Sequence, residues 1–186
     1  APASDLSGVG EEDYIHMPNG SHGVLVRDLS EVTIGGDSTH FGNAIRYNDS
    51  SGVVVSGEAD RVSIERNSIY ENGALGIDLG GDGITANDLG ASGKRADADQ
   101  DEGPNDRMNF PVGVLATPDP DTDGQMIVTG VLETPDPEQT SVSIYGSPEA
   151  ESVRDGQIHA TGEGETYLAT VTPDARGVFC ASISTP

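Results

Sequence analysis

Tryptophan is absent from the 186 residues, lysine occurs once, cysteine once, and tyrosine and phenylalanine total eight. The lone Cys180 has no intrachain partner, so it is expected to be a buried small hydrophobe or a link between chains. Nine Lys and Arg stand against 32 Asp and Glu, a formal charge of −23. Nucleic acid and anionic membrane surfaces need clustered cations and are poor partners for such a chain. No apolar run approaches the ~20 residues of a membrane-spanning helix, so no membrane insertion is expected. No stretch carries apolar residues at helical spacing over a helix length, which excludes a helical bundle.

What the chain has in quantity is turn-forming residues and acid. Twenty-five Gly and eleven Pro punctuate short apolar runs. Residues 1–112 hold 20 acids and 7 bases, and residues 113–186 hold 12 and 2, so the acidity is not confined to a tail. Dense carboxylate with one Lys resembles proteins of extreme halophiles, where concentrated salt screens self-repulsion. Divalent cations would screen it locally, and an acidic secreted protein without a salt requirement is the alternative. The opening Ala1-Pro-Ala-Ser-Asp5 has the look of a mature terminus left by signal-peptide removal or by trimming.

The short runs recur. Gly23-Val-Leu-Val26 returns as Gly52-Val-Val-Val55 and again as Gly76-Ile-Asp-Leu79. Val32-Thr-Ile34 returns as Val62-Ser-Ile64, and Asn43-Ala-Ile45 as Asn67-Ser-Ile69. The offsets are 29 and 24, then 30, then 24, with Gly35–His40 as an extra loop in the first copy. A period in the twenties made of short strands and turns indicates a solenoid; the Leu-rich consensus of leucine-rich repeats is missing. A right-handed parallel β-helix of three coils fits, with Asn43 and Asn67 stacked as an amide ladder. Its ends would expose unpaired backbone.

The run Asn67–Gly80 (NSIYENGALGIDLG), followed by Asp82–Asp88 (DGITAND), Asp97–Asp101 (DADQD) and Asn109–Val112 (NFPV), resembles a known family. It is similar to the terminal coil of pectin-lyase-like right-handed β-helix repeat proteins of bacterial and archaeal surfaces. The resemblance spans residues 20–185 and is most specific over 67–112. It implies an all-β chain in which a short β-helix, 14–112 with an acidic loop at 78–106, precedes an immunoglobulin-like sandwich, 113–186. It also implies a secreted, extracellular or cell-surface setting, and it leaves activity open because this fold hosts many functions. Strands are expected at Met126–Leu132, Ser141–Tyr145, Thr166–Val171 and Gly177–Ile183. Sandwiches of this type continue into a further strand, so either the sequence is one piece of a longer polypeptide or an edge strand comes from another chain, with residues 1–13 as the possible donor.

Carboxylate oxygen is the ligand that Ca²⁺ prefers. The candidates are Asp78, Asp82, Asp88, Asp97, Asp99 and Asp101, and the stretch Asp119-Pro-Asp121-Thr-Asp123-Gly124. The latter matches the opening of a helix–loop–helix calcium loop, but Gly130 stands where the bidentate Glu belongs. A solvated acidic surface explains the same residues.

Catalysis is not expected. Lys94 and Arg95 in the acidic segment are the ingredients of a lyase base, yet acidic neighbours keep Lys94 protonated. Gly20-Ser-His-Gly23 is only distantly similar to the Gly-His-Gly of pectin hydrolases, without their upstream aspartates, and His16, His22, His40 and His159 have no ligand spacing. Asn19 and Asn48 head glycosylation sequons in turns expected to be exposed. Tyr14, Tyr47 and Tyr70 are candidates for a sugar-binding face or for core or turn packing. The reading that results is a non-enzymatic structural subunit or module that self-associates into an oligomer or filament, braced by Ca²⁺ or salt. A polysaccharide-binding or lyase-type module, and an adhesin domain of a larger protein, are the alternatives.

Overall fold

The protein is all-β, and no barrel closes among the described residues. The computed structural model describes residues 19–88, 101–147, 153–154, 157–158 and 163–184. The proposed donor 1–13, with Tyr14, His16, Lys94, Arg95, Asp97, Asp99 and His159, lies outside the described residues.

Seven short strands make the first unit: β1 (Val24–Arg27), β2 (Thr33–Gly35), β3 (Ala44–Arg46), β4 (Val53–Ser56), β5 (Ser63–Glu65), β6 (Ser68–Tyr70) and β7 (Ile77–Leu79). All pairings are parallel and join equivalent residues of successive repeats. β1, β4 and β7 form one sheet, through Val24↔Val53 and Val53↔Ile77. β2 pairs with β5 from Thr33↔Ser63, and β3 with β6 from Ala44↔Ser68. The registers are therefore those of the sequence repeat. The longer first repeat is taken up by the loop between β2 and β3, which holds a 3₁₀ turn at Thr39–Phe41.

Like stacks on like. Val26 lies beside Val55, Ile34 beside Ile64 and Ile45 beside Ile69, and these branched side chains fill a core with Val53, Ala59 and Val62. β-Branched residues suit this because their stiff side chains pack on a pleated surface without losing much rotamer freedom. The corners turn on single left-handed residues that also recur: Glu31 and Arg61, Tyr47 and Glu71.

Two columns of small or amide residues set the spacing. Gly23, Gly52 and Gly76 lie above one another, and a Cβ on Gly52 would meet the Gly76 carbonyl at 2.7 Å and Ile69 at 2.6 Å. The asparagines form ladders. Asn43 Nδ2 donates to Asn67 Oδ1 at 2.9 Å, and Asn67 Nδ2 donates to the Ile34 carbonyl at 2.8 Å. A second, longer ladder escapes the sequence reading: Asn19 Nδ2 donates to Asn48 Oδ1 (2.9 Å) and Asn48 Nδ2 to Asn72 Oδ1 (2.7 Å). Asn72 Nδ2 then donates to the Ile45 carbonyl at 3.0 Å. Asn48 is therefore buried with its amide engaged, which corrects its expected exposure as a sequon.

Where a third repeat of β5 and β6 would continue the stack, other residues stand in. Glu163 accepts from the backbone N–H groups of Glu71 and Asn72, both at 2.9 Å, as a next rung would. Gly164 exchanges both backbone hydrogen bonds with Ile69. Asn105 does the same for Val62 with its side-chain amide, at 2.9 and 2.8 Å.

The second unit is antiparallel. β8 (Val112–Pro118), β9 (Gln125–Val131) and β14 (Val178–Ser184) form a sheet of order β14-β9-β8. β10 (Val142–Gly146) pairs with β13 (Thr166–Val171), and β11 (Val153–Arg154) with β12 (Gln157–Ile158). The four strands expected from sequence are present within a residue or two of their bounds; β8 was not expected. Val128, Leu132, Val142, Phe179 and Ile183 form its core. Cys180 is exposed, opposite in phase to buried Phe179, so the expectation of a buried thiol is corrected.

Three outcomes follow. Gly52→Ala forces two contacts too close to survive and should destabilise by about 1–3 kcal/mol, read from denaturant unfolding at fixed salt. Asn72→Ala strands the buried carbonyl of Ile45 and the amide of Asn48, with an expected loss of about 1–3 kcal/mol. Glu163→Ala should cost less than Asn72→Ala, because the amides it frees reach solvent more easily.

Candidate functional site

The candidate site is the groove between the two units, with a volume of about 600 Å³. One wall is the β7 side of the parallel stack, with Ile77 and Leu79; the other is β10, with Val142 and Ile144. Val114 of β8 and Phe179 of β14 line it with them, and Ile84 stands at the opening, 73% exposed. Both flanking strands have a free edge among the described residues: β7 pairs with β4 alone and β10 with β13 alone. Every residue of β8 is exposed, including Val114 at 58%. β8 is the edge strand of its three-stranded sheet, and β10 and β13 pair as two.

Local chemistry fixes the groove's rim. Asp78, 5% exposed, accepts from the N–H groups of Gly81 (3.0 Å) and Gly83 (3.3 Å), folding the loop after β7 back over Val54. Arg107 reaches Asp82 at 3.2 Å. Asn109, buried, donates to the carbonyls of Asp88 (2.9 Å) and Glu133 (2.8 Å) and so ties the rim to both units.

The remaining candidate ligands do not assemble. Among the described residues no three His, Cys, Asp or Glu side chains converge on one point. Asp78 is engaged by its own loop, and Asp82 faces Arg107. Asp119 accepts from the backbone of Asp121 at 2.9 Å, while Asp119 N donates to the Gln125 carbonyl. The calcium-loop-like stretch is thus the turn of the β8–β9 hairpin, with Gly124 supplying its left-handed position. Asp101 lies at the edge of the described segment, half-buried. The side-chain amides of Asn72 and Asn105 were missed as structural ligands of the backbone, although Asn72 repeats Asn48 at the same offset as Asn67 repeats Asn43.

Two further groups of tyrosine and arginine are present, of which Tyr145 also lines the groove. Arg46 donates to the Tyr70 hydroxyl and lies over the Tyr47 and Tyr70 rings, at 5.0 and 5.4 Å. Arg66 lies over Tyr167 at 5.2 Å, and Tyr167 meets Tyr145 edge-on. Tyr47 titrates above the usual phenol range because its hydroxyl bonds the Glu71 carboxylate. Tyr145 is raised by burial, whereas Tyr167 is lowered by the hydrogen bond with Thr170 and then by Arg66. Tyr47 and Tyr70 thus pack against Arg46 on the surface rather than in the core.

None of the protein families, curated proteins or solved structures compared with the chain matches it.

The tyrosines offer a direct check on this electrostatic picture. On alkaline titration followed by tyrosine ring NMR, Tyr167 should ionise before Tyr145. Thr170→Val should move Tyr167 upward and leave Tyr47 in place; a Tyr167 that titrates after Tyr145 contradicts the assignment.

Proposed function

We propose that the chain is a non-enzymatic structural protein of the cell surface or extracellular space, a subunit or module of a self-associating, filamentous assembly. In this reading the parallel stack is a short right-handed β-helix and the antiparallel unit an immunoglobulin-like sandwich short of one strand. The observation that carries it is the apolar groove flanked by the free edges of β7 and β10. Such edges pair readily with another chain, and apolar side chains beside them add affinity. Assembly has to overcome repulsion between copies that each carry −23. Concentrated salt shortens the screening length from about 10 Å at 0.1 M to about 3 Å at 1 M. Ca²⁺ bridging exposed carboxylates such as Asp121 and Asp123 would act in the same direction.

A second reading, a module that binds polysaccharide, is favoured by the Arg46–Tyr47–Tyr70 surface, where a guanidinium and two rings lie together. Arginine paired with tyrosine suits a sugar ring that bears a carboxylate.

Negative-stain electron microscopy of native material separates the two readings. Filaments at high salt that fray at low salt or on chelation are expected. Monodisperse particles under every condition would sink the assembly and send attention to glycan arrays and the Arg46 surface. Incubation with pectate or alginate and Ca²⁺ should yield no unsaturated product.

A further inference from the structure

We infer that Asn19 is a site of spontaneous deamidation, and that its conversion removes the outermost rung of the longer amide ladder.

The chain has two Asn-Gly dipeptides, Asn19-Gly20 and Asn72-Gly73. They stand at opposite ends of one ladder, with Asn48 between them. An asparagine before glycine is open to attack by the next backbone nitrogen, because no Cβ shields that nitrogen. The nitrogen bonds to Cγ of the asparagine, ammonia leaves, and a five-membered succinimide forms. Water then opens the ring at either carbonyl and gives aspartate or isoaspartate. The exchange of ammonia for water turns a neutral amide into a carboxylate.

The fold treats the two dipeptides differently. Asn72 is buried, and its Oδ1 accepts from Asn48 N at 3.3 Å and from Asn48 Nδ2 at 2.7 Å. Its Nδ2 donates to the carbonyls of Ile45 (3.0 Å) and Tyr70 (3.2 Å). Gly73 N, the attacking atom, is itself held by the Asn48 carbonyl at 2.8 Å. A Cβ on Gly73 would lie 2.3 Å from the Asp49 carbonyl oxygen, so packing alone requires glycine there. Ring closure at Asn72 has to break all of these bonds first.

Asn19 is held far less. It is exposed, and among the described residues its side chain makes one hydrogen bond, from Nδ2 to Asn48 Oδ1 at 2.9 Å. Gly20 is exposed too, and no described residue accepts from its N–H. Only Asp49 Oδ2 comes near its Cβ position, at 3.9 Å, so no close contact demands glycine.

Conversion changes the end of the ladder. A carboxylate at position 19 has no proton to donate, so Asn48 Oδ1 loses its partner and faces a like-signed oxygen. Isoaspartate also reroutes the main chain through Cβ and Cγ. That displaces the Asn19 carbonyl, which accepts from Asp49 N at 3.1 Å. The β1 end of the stack loosens while the Asn48–Asn72 rung stays in place.

The test ages the freshly made full chain, folded and in denaturant, beside Gly20→Ala, and follows residues 19 and 72 by peptide mass spectrometry. In the folded chain Asn19 should convert at least ~10-fold faster than Asn72, a difference in local opening of about 1.4 kcal/mol. In denaturant the two rates should converge. Gly20→Ala should keep its circular dichroism and slow conversion at Asn19. The aged folded chain and Asn19→Asp should both show faster hydrogen exchange at the Asp49 amide. An Asn19 that stays intact while the denatured chain converts overturns the site, as does an Asn72 that keeps pace with it in the folded chain. Conversion of Gly20→Ala at the parent rate excludes the succinimide and overturns the route. Conversion that leaves Asp49 exchange unchanged overturns the loss of the rung.

Discussion

A buried side-chain amide has four hydrogen-bonding positions and tolerates few of them empty. In this chain that demand governs the spacing of the repeats. Asn67 and Asn72 each turn inward at a corner, donate to backbone carbonyls of the circuit before, and accept from an asparagine stacked on them. A slip of one residue would misplace every one of these bonds and reverse the inward Val and Ile at the same time. The apolar columns supply the driving force, but branched aliphatics slide past one another at little cost. The amides and the Gly23–Gly52–Gly76 column are what make one register the lowest in energy.

The distribution of charge follows from that division. With so few aromatic residues and a core of Val, Ile and Ala, each packed layer is thin, and among the described residues Asp78 is the only buried carboxylate. The exposed ion pairs, Arg61 with Glu31 and Asp60 or Arg176 with Asp174, contribute little individually. Asp78 differs: its burial is balanced by two backbone donors, and its effect is to fasten a loop over the outer face of β4. The acids serve the surface, and the amides serve the interior.

Much of the first unit was legible because its interactions repeat. Residues that stack also recur in sequence, so the offsets of 29, 24 and 30 gave the strand partners directly. The caps were illegible for the opposite reason. Glu163 meets Asn72 across 91 residues and Asn105 meets Val62 across 43, each once, so no periodicity announces them. β8 was missed because a strand exposed on both faces shows no alternation of apolar and polar side chains. Cys180 was readable in principle: Phe179 and Ile183 share the buried phase of β14, which leaves position 180 in the outward one. The carboxylate spacing does not by itself separate two uses, because Asp119-Pro-Asp121 is as good a recipe for a hairpin turn as for a cation loop.

The capping of Asn72 by Glu163 has a bearing on how the molecule is made. Synthesis proceeds from the N-terminus, so the parallel strands leave the ribosome long before position 163 does. Until then the last rung faces solvent with two donors unanswered, and the half-built stack is an open template for other nascent chains. Completion of the antiparallel unit supplies the missing acceptor and the Gly164 bridge together. Maturation of the first half thus waits on the last quarter of the chain, and the two units should fold and unfold as one cooperative body rather than as beads on a string.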